Sequence, residues 1–191
     1  MKIHGTAKGG AISKKDFGVA FATAAPEPVT WYDELEHAGS AVESGWATAI
    51  TERGEGTKTD ASAMIGQTLT KVQVYLKKFG SPSGDITCAV KAQADNSTRV
   101  TIGTLDVDDL TTSMVLRTFD NSTNPSYELV DGDVISIHFA GDDSNAIKTL
   151  SSNATVLYDN GYSGRAAYGP GTSDAWTVDS GEDLVALFAG N

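Results

Sequence analysis

The sequence predicts an all-β, antiparallel fold of sandwich or barrel type, and three observations predict it. After about residue 45, apolar and polar residues alternate with a period of two in several stretches, as in strands with one buried and one wet face. Turn clusters rich in Gly, Pro, Ser, Asn and Asp separate roughly nine or ten such stretches at spacings of about 8–15 residues. Helical periodicity is almost absent from that part of the chain. With 191 residues, 40% of them hydrophobic and 20% charged, the chain has the composition of a globular domain with an appended arm.

Residues 1–25 are expected to form a basic N-terminal arm. They hold four lysines against Asp16, a net charge of +3, while the remainder holds ten basic and 24 acidic groups, a net charge of −14. Lys8, Lys14 and Lys15 stand where an export signal would need its apolar stretch, so an exterior location is expected to be reached by another route. Phe17, Val19 and Phe21 alternate as in an extended segment added to another sheet. Together with Ile12 they would anchor the arm, and its lysines would meet an acidic partner or a neighbouring copy. Residues 26–44 are expected to be a connecting segment. Pro26 and Pro28 break helix, and Trp31–Ala38 is expected to form a short helix capped by Thr30 and stopped by Gly39.

Residues 45–191 are expected to be the β-sandwich head. Trp46–Thr51 is the first candidate strand, with Gly54, Gly56 and Ser62 marking a loop after it. In Thr68–Phe79, Val72, Val74 and Leu76 fall on one face and Lys71, Gln73 and Lys77 on the other. Beyond the turn residues 80–84, Ile86, Cys88 and Val90 continue the alternation. Val100–Leu105, Leu116–Phe119 and Tyr127–Val130 follow. Asp131, Gly132 and Asp133 signal a hairpin. Ile135, Ile137 and Phe139 then point one way and Ser136 and His138 the other, with His138 expected in solvent. Thr155–Tyr158 and Ala175–Val178 are shorter candidates. Asp183–Ala189 is nearly all apolar, as expected of a central strand.

The stretches 64–78 and 80–90, the turn at Asp131–Asp133, the late Trp176 and residues Gly181–Leu184 together resemble a jelly-roll β-sandwich module. Such modules occur in carbohydrate-binding domains, microbial surface proteins and viral tail or fibre proteins. The resemblance covers residues 62–190 and implies a jelly-roll-like head. The opening residues 2–18 also resemble the start of proteins of ammonia-oxidising archaea and their viruses, which implies a shared attachment segment.

Charge and motifs bound the function. A net charge of −11 repels phosphate backbones and anionic lipid, so no nucleic-acid partner is expected for the head. No apolar run is long enough to span a bilayer. His4, His37 and His138 have no companion at metal-ligand spacing, and neither a nucleophile elbow nor a phosphate or dinucleotide loop occurs. The lone Cys88 is in phase with Ile86 and Val90, which marks it as a small core residue. No catalytic residue is therefore assigned.

Two ligand sets remain. Sugar rings need aromatic faces and polar side chains, and these gather at Tyr158, Asn160, Tyr162, Arg165, Tyr168, Asp174 and Trp176. Calcium needs hard oxygens clustered in loops; Asp106, Asp108 and Asp109 form one such cluster, Asp142 and Asp143 a second, and Asp183 with Glu182 a third. The same acids also suit solvated loops, and no cofactor is required. Asn96, Asn121 and Asn153 each open an Asn-x-Ser/Thr triplet. The function expected is a non-catalytic structural or attachment protein, a homo-oligomeric virion or surface-appendage component. The alternatives are a carbohydrate-binding module and, third, a glycan-active enzyme, which needs two carboxylates on facing walls of a cleft.

Overall fold

The computed structural model describes residues 29–33, 35, 41–46, 52–56, 64–121, 127–139, 147–152, 162–166, 176–179 and 183–191. The arm residues Lys8, Ile12, Lys14, Lys15, Phe17, Val19 and Phe21 lie outside them. The early strands are β1 (Val29–Asp33), β2 (Val42–Gly45), β3 (Glu52–Gly56), β4 (Leu69–Lys78) and β5 (Asp85–Ala92). Next come β6 (Thr98–Asp106), a 3-10 turn at Val107–Asp109, β7 (Val115–Asp120) and β8 (Asp133–Phe139). The late strands are β9 (Ile147–Ser152), β10 (Tyr162–Ala166), β11 (Thr177–Asp179), β12 (Asp183–Leu184) and β13 (Ala186–Gly190).

These strands make two antiparallel sheets packed into a sandwich. One has the order β1-β13-β4-β9-β12, with β2 on β9 and β7 on β4; the other runs β11-β10-β3-β8-β5-β6. Eight strands form four nested ribbons: β1 with β13, β3 with β8, β4 with β7, and β5 with β6. The pairs β13–β4 and β8–β5 join the ribbons into two sheets. Half-sheets β1-β13-β4-β7 and β3-β8-β5-β6 result, which is the rolled-ribbon path of a jelly roll. Strands β9, β10 and β11 belong to the connection between β8 and β12 and widen both sheets.

The core lies between the sheets and follows the predicted alternation. Val72, Val74 and Leu76 of β4 and Phe188 of β13 meet Ile86, Cys88 and Val90 of β5 and Ile135, Ile137 and Phe139 of β8. Each large apolar side chain among them, fully buried, contributes about 1.5–3 kcal/mol. Phe119 of β7 packs on Gly103 of β6, where a Cβ would stand 3.4 Å from its ring.

Several expectations change. Val29–Asp33 is a strand where a helix from Trp31 was expected, because Val29, Thr30, Trp31 and Tyr32 suit extended backbone and β13 supplies a pairing edge, with a bulge between Thr30 and Tyr32. The sandwich thus already draws on residues 29–33 and 42–45, placed by sequence in a connecting segment. Of the candidate strand Trp46–Thr51 only Trp46 is described, directly after β2, and the rest lies outside the described residues, while Gly54 and Gly56, read as loop, sit inside β3. Thr155–Tyr158 falls outside the described residues. In Tyr127–Val130 there is only an isolated bridge, from Glu128 to Thr68. Asp131 and Gly132 make a turn leading into β8 rather than a hairpin between named strands, with Gly132 at φ 81°.

Strand β3 reads Glu-Arg-Gly-Glu-Gly and is buried at all five positions. Each charge is met inside the fold. Arg53 donates from Nε to the Gly45 carbonyl at 2.9 Å and lies 5.9 Å from the Trp46 ring centre. Glu55 accepts from the Leu184 N–H at 3.1 Å. Glu52 pairs with the Lys91 ammonium. Gly54 is required by close approach: a Cβ there would stand 2.5 Å from the Ile135 carbonyl oxygen.

Candidate functional site

The sequence-derived ligand sets are only partly described. Of the glycan set, Tyr158, Asn160, Tyr168 and Asp174 lie outside the described residues. Tyr162 and Arg165 belong to β10, in register with Gly56 and Arg53. Trp176 is buried, precedes β11 and packs on Val134. Of the calcium set, Asp142 and Asp143 lie outside, and Asp183 is in β12 opposite Ser152. Of the three triplet asparagines, Asn153 lies outside the described residues. Asn96 sits in the turn after β5 in a left-handed conformation, φ 56°, and Asn121 follows β7.

Asp106, Asp108 and Asp109 come together around the 3-10 turn, and all three are exposed. The Asp106 carboxylate caps the turn, accepting from the Asp108 N–H at 2.9 Å. Lys78 donates to the Asp108 carbonyl at 3.1 Å and approaches its carboxylate at 3.6 Å. Arg117 donates to the Asp109 carbonyl. The Asp108 and Asp109 carbonyls and, more loosely, the Asp108 carboxylate are thus engaged by basic side chains. Among the described residues no group of three or more His, Cys, Asp or Glu is arranged to hold a metal ion.

Of the cysteine and histidines, Cys88 and His138 are described, and His4 and His37 lie outside the described residues. Burial pushes the Cys88 thiol far above its ordinary range, so it stays protonated and is no nucleophile. His138, expected in solvent, is half-buried; desolvation lowers its pKa, and Lys91 adds to that while Glu52 opposes it. Ser136 lies on the same side of β8, away from the Ile135 and Ile137 face as the alternation predicts, and is fully buried there. Among the described residues no helix is long and apolar enough to cross a membrane.

Three separate segments do converge on a cleft of about 490 Å3 at one end of the six-stranded sheet. Its walls are residues 92–94 at the end of β5, Arg99 at the start of β6, the turn 130–133, and Trp176. Backbone hydrogen bonds lock the segments together. The Gln93 N–H donates to the Gly132 carbonyl at 2.8 Å and the Trp176 N–H to the Gln93 carbonyl at 3.4 Å. The turn is closed by the Asp133 N–H on the Val130 carbonyl at 3.2 Å and by the Val130 N–H on the Asp133 carboxylate at 2.9 Å.

Charge in the cleft is mixed. Burial holds the Asp133 carboxyl above the usual carboxylate range, while the Val130 N–H, the Tyr127 hydroxyl and Arg99 pull it down. Burial also raises the Tyr127 hydroxyl, with its hydrogen bond to Asp133 acting in the same direction. Sequence reasoning missed Gln93, Arg99, Asp131 and Asp133 because they come from two distant turns. The Asp-Gly-Asp signal named the turn without the neighbour it would face.

No family model, curated protein or solved structure matches the chain.

Proposed function

We propose that this chain is a non-catalytic structural or attachment protein, a virion or surface-appendage component that presents a jelly-roll head. The observation that carries the reading is the pairing of the first described strand with the last: Val29 lies opposite Gly190 at the edge of the seven-stranded sheet. The chain therefore enters the head along an edge strand. A basic arm of residues 1–25 would emerge from that edge of a rigid body and dock on a neighbouring copy or another acidic component. Homo-oligomeric neighbours would then multiply weak contacts. No step of this role needs a cofactor; a structural calcium at Asp142, Asp143 or Asp183 would be an addition to it. Deleting residues 1–21 is expected to abolish assembly, measured by light scattering and electron microscopy, while circular dichroism keeps its β signature. A truncated protein that assembles like the full chain defeats the proposal.

A second reading, glycan recognition by the head, is favoured by Trp176, which joins the aromatic set and lines the cleft. As first read from the sequence, the site includes the aromatic loops, so Tyr162→Ala and Tyr168→Ala would abolish binding on a glycan array.

A further inference from the structure

The geometry points to the cleft between the β5–β6 turn and the turn 130–133 as a binding site for a neutral saccharide, with Arg99 and Asp131 at its polar wall and Trp176 at its apolar wall. The inference shares its ligand class and Trp176 with the glycan reading above. The other binding residues differ, since the remaining walls come from residues 92–94, Arg99 and the turn 130–133.

Size comes first. The cleft's 490 Å3 falls within the range of small-ligand sites, about 300–1,000 Å3. Its lining is of two kinds. Val130, 48% exposed, and the accessible edges of the otherwise buried Ala92 and Trp176 offer apolar surface, and Gln93, Arg99 and Asp131 offer polar groups. Sugar rings present the matching pair, since their C–H faces lie against aromatic and aliphatic walls. Each hydroxyl both donates and accepts, and the wall supplies both partners: guanidinium and amide N–H as donors, carboxylate and amide oxygen as acceptors.

Charge narrows the class. Asp131 and Asp133 stand beside Arg99 in the lining, and the whole chain carries −11. Phosphorylated, sulfated or carboxylated ligands would be repelled by this field. A purely apolar ligand would strip water from the charged wall without replacing its hydrogen bonds. A neutral polyhydroxylated ring meets neither penalty.

The site is also preformed. Gly132 takes the left-handed conformation that the turn needs, and its carbonyl is tied to the Gln93 N–H. The Gln93 carbonyl in turn receives the Trp176 N–H. One chain of backbone hydrogen bonds thus fixes all three segments before any ligand arrives, which lowers the ordering cost of binding.

The test uses the full-length chain, labelled with 15N. It is titrated with maltose, cellobiose, lactose and N,N′-diacetylchitobiose, with 3′-sialyllactose as anionic comparator, and is screened in parallel on a glycan array. At least one neutral glycan is expected to shift the amide signals of Gln93 and Gly132 and the indole signal of Trp176. Arg99→Ala, at an exposed position, is expected to weaken that binding about tenfold, the loss typical of one charged hydrogen bond. Gln73→Ala, on the outer face of β4 and remote from both sets of binding residues, is expected to leave it within about twofold. Silence across array and titrations overturns both the cleft site and the glycan reading. Binding that survives Arg99→Ala but is lost in Tyr162→Ala or Tyr168→Ala overturns the cleft alone and returns the site to the loops. Tighter binding of the sialylated probe than of any neutral one overturns the ligand class.

Discussion

The two sheets of this sandwich share one core but treat their outer faces in opposite ways. On β4, in the seven-stranded sheet, the outward residues Lys71, Gln73, Tyr75 and Lys77 are all partly exposed. On the six-stranded sheet the corresponding positions Ala89, Lys91, Ser136 and Glu52 are all buried. The first sheet has one dry face and one wet face. The second is dry on both across β3 and most of β8 and β5, where the outward Thr87 and His138 are partly exposed. Charges on the first are ordinary surface groups, whereas charges on the second must find partners or incur a large desolvation cost.

The two ion pairs give the sharpest test of this contrast. Lys77 and Glu43 meet at 2.5 Å on the seven-stranded sheet, with the Glu43 side chain 47% exposed. Lys91 and Glu52 meet on the other sheet with side chains 11% and 3% exposed. Glu52→Ala would leave a buried ammonium unpaired and is expected to cost about 3–5 kcal/mol in urea denaturation. Glu43→Ala is expected to cost about 0–1 kcal/mol. Combining Glu52→Leu with Lys91→Met should recover most of the loss, since the pair is removed whole. Equal losses for Glu52→Ala and Glu43→Ala would erase the distinction between the sheets.

The same contrast explains what the sequence discloses. Where one face is wet, period-two patterning is visible, and β4 is legible to within a residue at each end. Where both faces are dry, the phase is still visible but the exposure is not. Ser136 and His138 lie off the core face of β8, as the alternation places them, yet that side is covered, with Ser136 buried and His138 half-buried. Strand β3 reads as a loop because its two glycines and three charges carry no β signal. Its partners Lys91, Gly45 and Leu184 lie up to 129 residues away, beyond local pattern. The nested ribbons were accessible only through the jelly-roll resemblance, and pairing order rather than strand count shows them. Of the candidate cleft, only Trp176 stood among the sequence-derived site residues. Its other walls meet through backbone hydrogen bonds across the fold, which leave no mark on composition.

A smaller effect tests how tightly the dry sheet is built. Gly54 lies between Ser136 of β8 and Gly164 of β10. A Cβ on it would stand 2.5 Å from the Ile135 carbonyl oxygen and 2.8 Å from Val134 Cγ1. Backbone cannot yield as a flexible side chain would, so Gly54→Ala is expected to cost about 1–3 kcal/mol. Gln73→Ala, on the wet face of β4, should stay within about 0.5 kcal/mol. A Gly54→Ala protein as stable as the parent would show that the sheet can open at β3 without loss.

The smallest effect is a pH dependence confined to the dry sheet. His138 stands in register with Glu52 on one side and Thr87 on the other, and its pKa lies below the ordinary histidine value because burial disfavours the imidazolium. The nearby charges act in opposition, with Lys91 lowering the pKa and Glu52 raising it. As pH falls through the ordinary value of about 6.5, the unfolded chain takes up this proton before the folded one does. His138 therefore contributes stability above that pH and loses it on acidification. Asp133, whose pKa is raised, acts with the opposite sign, but from the carboxylate range upward. Urea midpoints are expected to fall between about pH 7.5 and 5.5 in the parent and to fall less steeply in His138→Gln. Parallel slopes in the two proteins would mean that this ring titrates as freely as one on the wet sheet.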